Sequence, residues 1–378
     1  MVSFGVPKIE LNLYLQQQQQ TRVNEQQWWT AFEELYNKKL WHQLTLQIYE
    51  YVKTPGDKDL VSLYQNFISD FETKMNPLTL VETIAFIVKQ IPNYEVCLAF
   101  IEKTKEKVKS NNVASILCNI LIGQIKLEKK DLKGVKDILE ETNKLIDEET
   151  GVTPVHGRFY QLSSDYHQIM GNHCEYYRDA LRYLGCCSVD DEDEPTRANR
   201  AFTLCLAALL GDSIFNFGEL LQHPIIESLK GKPNEWIVEL LYAFNSGDIK
   251  KFEALQSQWS TQIDLLHHKL VLRQKISLLC LMEMTFKSAN GLLTFDQISR
   301  ETQLPIGEVE ILIMKALSLG LVRGTIDQVD AKVHLTWVQP RVLDKKQISS
   351  MRSKLDSWCH DVDRIEKLLE QKAQDIIN

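Results

Sequence analysis

Along most of this chain the apolar positions recur at steps of three and four residues, the period of one buried helix face. From Trp28 to about Ser260 the interruptions fall at Pro, Gly and Asn. Three stretches read as helical hairpins. Trp28–Tyr36 and Leu40–Val52 flank a turn at 37–39, and Ile116–Leu127 and Leu132–Ile146 flank one at 129–131. Phe159–Met170 and Tyr176–Leu184 flank Gly171 and Asn172. The last pair, with Tyr166, Gly171, Tyr177, Ala180 and Leu184, echoes the small-and-aromatic interlock of tetratricopeptide repeats. No strict period recurs, so the expected architecture is mainly α: an irregular, TPR-like right-handed α-solenoid in which each hairpin buries its face on its neighbours.

At Gly291 the pattern changes. Thr294 and Gln297 have capping-box spacing, with Leu293 and Ile298 at the staple positions, which starts a short helix ending near Thr302. Pro305 opens a second helix with Val309, Leu312, Ile313, Ala316 and Leu317 on its inner face, and Gly320 stops it. Two strand-like runs follow, Leu321–Ile326 and Val333–Val338. In the second, Val333, Leu335 and Trp337 alternate with His334 and Thr336, a period of two. Two helices and a two-stranded ribbon make a winged-helix unit, whose first helix is Leu270–Phe286.

The last segment carries a seam. Ile348, Met351, Leu355, Trp358, Val362, Ile365, Leu369 and Ile376 alternate steps of three and four, with one skipped position at Lys372. Most of the other residues there are charged, so the spacing predicts one long helix over 344–377 with a coiled-coil-like stripe. Such a stripe has to be buried on something, and a partner helix is the natural cover. The domain reading is a flexible Gln-rich leader at 1–27, a solenoid at 28–262, a winged helix at 263–343 and a bundle helix at 344–378.

Composition narrows the function classes. The chain has 378 residues, 44% hydrophobic and 25% charged, with a net charge of −8. That is ordinary globular composition, and the negative balance does not invite nucleic acid or anionic membrane. No apolar run approaches the ~20 residues of a membrane span, and no secretory signal is visible. The eight cysteines form no CxxC pair and lie mostly in apolar helical stretches, which suits a reducing compartment.

Motifs for phosphate cradling, nucleophilic hydrolysis or zinc proteolysis are absent from the sequence. The one ligand-like group is His173, Cys174, Cys186 and Cys187. Zinc is one reading of it; packed thiols and a turn histidine are the other, and the spacing favours the latter. Over 290–341 five basic residues face six acidic ones, the wrong balance for phosphate contact. No catalytic residue, metal or cofactor is expected. The sheet edge is a candidate strand-pairing surface through Val322, Arg323, Thr325, His334, Thr336 and Val338, unless loop 327–332 or the terminal helix blunts it.

The order helical array, winged helix, long terminal helix is similar to that of PCI-domain proteins. Local sequence resembles the family too: Phe215-Asn-Phe-Gly-Glu-Leu-Leu-Gln-His-Pro-Ile-Ile226, Leu241-Tyr-Ala-Phe-Asn-Ser-Gly-Asp248, and Val309-Glu-Ile-Leu-Ile-Met-Lys-Ala-Leu-Ser-Leu-Gly-Leu-Val322. The likeness runs from about Trp28 to the C-terminus and is strongest to the PCI subunits of the 26S proteasome lid. It implies a non-catalytic scaffold in the cytoplasm and nucleus, docking through winged-helix edges and a shared helix bundle. Implied partners are other lid subunits, among them an adjacent PCI subunit such as regulatory subunit 12 and a nearby ubiquitin receptor, with no nucleic acid or membrane. PCI subunits of the COP9 signalosome and of translation initiation factor 3 share the architecture.

Overall fold

The computed structural model describes residues 10–21, 25–56, 58–149, 151–187, 193–288, 290–343 and 345–377. The chain is mainly α-helical and divides into two compact units, Met1–Ser188 and Val189–Asn378.

In the first unit the three expected hairpins form. They are Gln26–Asn37 with Trp41–Lys53, Asn112–Glu128 with Leu132–Glu148, and Pro154–Met170 with His173–Cys186. Pro77–Val88 and Tyr94–Lys107 make a further pair. Local chemistry sets the starts. Asn76, Asn93, Asn111 and Asp131 each accept a backbone N–H of the following first turn. Lys39, Lys130 and Gly171 take positive φ in the three hairpin turns.

The core of this unit begins in an aromatic cluster. Phe32 sits edge-on to Tyr51 at 5.6 Å and stacks on Phe67 at 5.9 Å. A single π-helical turn, Tyr64–Ile68, widens the helix so that Tyr64, Phe67 and Ile68 all point inward. The reading of 1–27 as a flexible leader is corrected over part of its length. Leu11–Thr21 is a helix that buries Tyr14 and Leu15, and Tyr14 meets Trp29 edge-on at 5.9 Å. The glutamines hid this, because only one short apolar face lies among them.

The second unit is organised on the Lys269–Lys287 helix, which packs against Trp236–Ser246, Phe295–Thr302 and Ile306–Ser318. Its Lys275 is buried and donates to the carbonyls of Ala208, Leu209 and Gly211 at 2.6–3.0 Å. Those carbonyls end the Glu194–Leu210 helix, where the helix dipole favours a cation. Gly247 lets the Trp236–Ser246 helix close on Cys280: its φ is +66°, and a Cβ there would lie 2.6 Å from the Cys280 Cα.

The winged helix keeps the predicted order and adds a strand. The Thr294–Gln297 capping box is present at the start of Phe295–Thr302. The strands are β1 (Leu292–Thr294), β2 (Val322–Asp327) and β3 (Lys332–Val338), all antiparallel in the order β1-β3-β2. The pairing register shifts at Arg323/Gly324, so Thr336 is an extra residue on β3. That bulge breaks the period of two. Val333 and Leu335 are buried, but Trp337 turns outward, with the Arg323 guanidinium 4.6 Å from its ring centre. Gly324 is needed at the same point, because a Cβ there would collide with the His334 carbonyl oxygen.

Lys345–Ile377 is one helix of 33 residues. At ~1.5 Å per residue it is about 50 Å long.

Candidate functional site

The root of the long helix is fixed by a buried ion pair. Arg341 Nη2 lies 2.7 Å from Glu283 Oε2, with the two side chains 10% and 9% exposed. Arg341 Nη1 also donates to the Asn245 carbonyl at 3.1 Å, and Gln347 Nε2 donates to Glu283 Oε1 at 3.3 Å. The Val342 N–H donates to Asn216 Oδ1 at 3.3 Å. Arg341, Val342 and Gln347 are therefore tied to the helical body, and the helix leaves from a defined point. Beside that point is an apolar cavity of about 210 Å³ lined by Phe286, Val338, Pro340, Leu343 and Met351 among others.

Beyond its root the helix offers an open apolar face. Ile348, Met351, Leu355, Trp358, Val362, Ile365 and Leu369 are all exposed, from 41% at Met351 to 64% at Trp358. The Ile376 side chain lies outside the described residues. Leu368 is exposed as well and widens the stripe beside Leu369, which the strict seam reading missed. The charged residues pair along the helix instead, as in Arg352–Asp356 and Arg364–Asp361. An apolar stripe of this length, exposed on a chain with an ordinary buried core, is a candidate interaction surface.

The sheet edge differs from the expected one. Among the six residues read as edge positions, Val322, Arg323 and Thr325 lie on β2, which ends the sheet. His334, Thr336 and Val338 lie on β3, the central strand. His334 has β1 on one side and β2 on the other, so it is no edge. Thr336 and Val338 lie beyond the last residue that pairs with β1, and Thr336 donates to the Arg323 carbonyl at 3.4 Å. The strand responsible, β1, is three residues long, too short for a period-two signal. Its sequence sign was Leu292-Leu293 before the Thr294 cap, with Gly291 at φ +65°.

The second winged-helix helix, Ile306–Ser318, presents an apolar and acidic outer face. Ile306, Glu308, Ile311 and Met314 are exposed, Glu310 accepts from Gln328, and Lys315 is engaged by Gln274. This is not a face that reads base edges.

The ligand-like group is not brought together. His173 and Cys174 open the His173–Cys186 helix, while Cys186 and Cys187 close it. At ~1.5 Å per residue the two ends are about 20 Å apart. Cys187 packs instead against Gly157, whose absent side chain makes room for its Sγ. Among the described residues, no group of three or more His, Cys, Asp or Glu is placed to hold a metal ion. Burial pushes the thiols of Cys118 and Cys205 up to about 12 and that of Cys280 to about 11, so they are unreactive packing groups. Among the described residues, no helix is long and apolar enough to cross a membrane.

Comparisons with known proteins agree with this layout. Residues 28–241 match the family described as PSD13 N-terminal repeats, and residues 249–337 match the PCI domain. The chain is 38% identical to the 26S proteasome non-ATPase regulatory subunit 13 of Dictyostelium discoideum, over 90% of this chain and 92% of that one. It is 37% identical to homolog B of the same subunit from Arabidopsis thaliana, over 96% of this chain and 98% of the relative. A more distant relative is eukaryotic translation initiation factor 3 subunit M of Nematostella vectensis, 23% identical over 44% of this chain and 43% of that protein.

Proposed function

The chain belongs to the family of the 26S proteasome non-ATPase regulatory subunit 13, and from that premise we propose how its surfaces serve the regulatory particle. It is a structural subunit of the regulatory-particle lid, where it supports assembly and ubiquitin-dependent protein degradation without catalysing a reaction itself. The observation that carries this reading is the exposed face Ile348–Leu369, projecting from a root locked by Arg341 and Glu283.

The energetics suit assembly. Burying an apolar side chain of this kind contributes ~1.5–3 kcal/mol, so seven of them give a gross term above ~10 kcal/mol. Association costs of ~4–15 kcal/mol are offset only when most of the stripe is covered, which favours a bundle over a passing contact. A second contact is the outer edge of β2, with Val322, Arg323 and Thr325, where a neighbour's strand can extend the sheet. The neighbours are other regulatory-particle subunits. We infer an adjacent PCI subunit such as regulatory subunit 12 and a nearby ubiquitin receptor, in both cytoplasm and nucleus.

Deleting residues 344–378 tests the reading. The truncated chain is expected to fold and to lose co-purification with the lid. Co-purification at the full-length level would refute it.

A further inference from the structure

The charges on the long helix are segregated, and the segregation selects an orientation. Residues 345–355 hold four basic side chains and no acidic one. Residues 356–370 hold five acidic side chains and two basic ones. A helix with a positive first half and a negative second half is complementary to a copy of itself running the other way.

We propose that the free chain pairs with a second copy of itself through this helix, antiparallel and twofold symmetric. Seam against seam, Ile348 meets Ile365 of the second copy, Met351 meets its Val362 and Leu355 meets its Trp358. Every layer between Ile348 and Ile365 is then apolar, and the polar Lys372 stays outside the pairing. In this alignment the flanking positions bring Lys354 beside Asp361 of the second copy and Lys345 beside its Glu366, each twice by symmetry. All four side chains are exposed, and Asp361 would exchange its exposed pairing with Arg364 of its own helix for Lys354 of the second copy. A parallel pair in register would instead set Asp361 beside Glu366 twice, a repulsive arrangement. The end of the apolar run, Leu368 and Leu369, then arrives level with the start of the other copy's helix at Lys345. That is beside the 210 Å³ cavity lined by Phe286, Val338, Leu343 and Met351, which gives those leucines an apolar seat.

Self-pairing would shield the stripe until lid neighbours displace the second copy. It does not depend on which neighbours those are, so its failure leaves the lid reading intact.

Sedimentation equilibrium of the full chain tests it. The wild type is expected to be a salt-sensitive dimer. The charge-reversed variants Lys345→Glu/Lys354→Glu and Asp361→Lys/Glu366→Lys should each weaken the dimer at least ~10-fold, and mixing the two should restore association. These positions are exposed, so the fold is not at risk, and circular dichroism checks it. In an isotope-mixed sample, an amine-to-carboxylate cross-linker should join Lys354 of one copy to Asp361 of the other. A monomeric wild type, reversed variants that dimerise like the wild type, or inter-copy links confined to matching ends would each overturn the proposal.

Discussion

Arg341 and Glu283, 58 positions apart in the chain, form a buried ion pair at 2.7 Å, and Gln347 joins them from the first turns of the terminal helix. Removing one partner of a buried pair costs up to ~3–5 kcal/mol, and less here because Lys287 Nζ also lies 3.4 Å from Glu283 Oε1. Arg341→Ala should therefore loosen the helix root. Hydrogen exchange should rise across 339–350 while the Pro154–Met170 helix stays protected. Unchanged exchange at the root would show that the pair does not hold it.

Lys275 makes the second such lock, donating to three carbonyls that close the Glu194–Leu210 helix. A hydrogen bond to a charged group contributes ~1.5–3 kcal/mol, and the contributions of one ammonium are not additive. Lys275→Met should lower the stability of the second unit by about 3 kcal/mol in urea unfolding. Lys275→Arg should not rescue it, because the planar fork does not fit a site built around three convergent carbonyls.

Two glycines should respond in opposite directions. Gly291 has φ +65° and no room for a Cβ against the Leu335 carbonyl oxygen, so Gly291→Ala should destabilise the winged helix by more than ~1 kcal/mol. Gly185 lies inside the His173–Cys186 helix with nothing within 4 Å of an added Cβ. Gly185→Ala should raise stability by ~0.5–1 kcal/mol. Thermal melts of the two variants check both signs.

His167 gives the first unit a pH dependence. Burial holds its imidazole below the ordinary value, against the pull of Asp179 and Glu175. Its folded pKa is thus lower than its unfolded one, near 6.5. Above pH 6.5 both states are neutral and the full stability is present. As pH falls below that value the unfolded chain takes up the proton first, so stability is lost until the folded imidazole also titrates. His167→Gln should flatten this part of the stability–pH curve, measured by urea unfolding between pH 7 and pH 5.

Much of the architecture was legible where one physical signal dominated. The Thr294–Gln297 capping box, the Pro305 start and the Gly320 stop are local chemistry, and the structure uses all three. The seam was legible because a three–four period over more than 20 residues has few other causes. Three features were hidden for reasons that are equally physical. Trp337 is turned outward by a bulge, which depends on the register with β2 and leaves only Gly324 as a trace. Leu11–Thr21 packs through Leu11, Tyr14 and Leu15, too few positions for a periodic signal. The Arg341–Glu283 lock joins distant segments, and nothing near either residue announces the other.

The central claim is that the exposed stripe of the terminal helix holds this subunit in the lid. Its most direct test is the double variant Leu355→Asp/Val362→Asp, expressed in place of the wild type, with the lid purified and its subunits quantified by mass spectrometry. Both side chains are exposed in the single chain, so the isolated variant should keep the circular dichroism spectrum of the wild type. The account predicts at least a ~10-fold loss of the variant from the purified lid, because two charged side chains would have to enter an apolar interface. Incorporation at the wild-type level would contradict it.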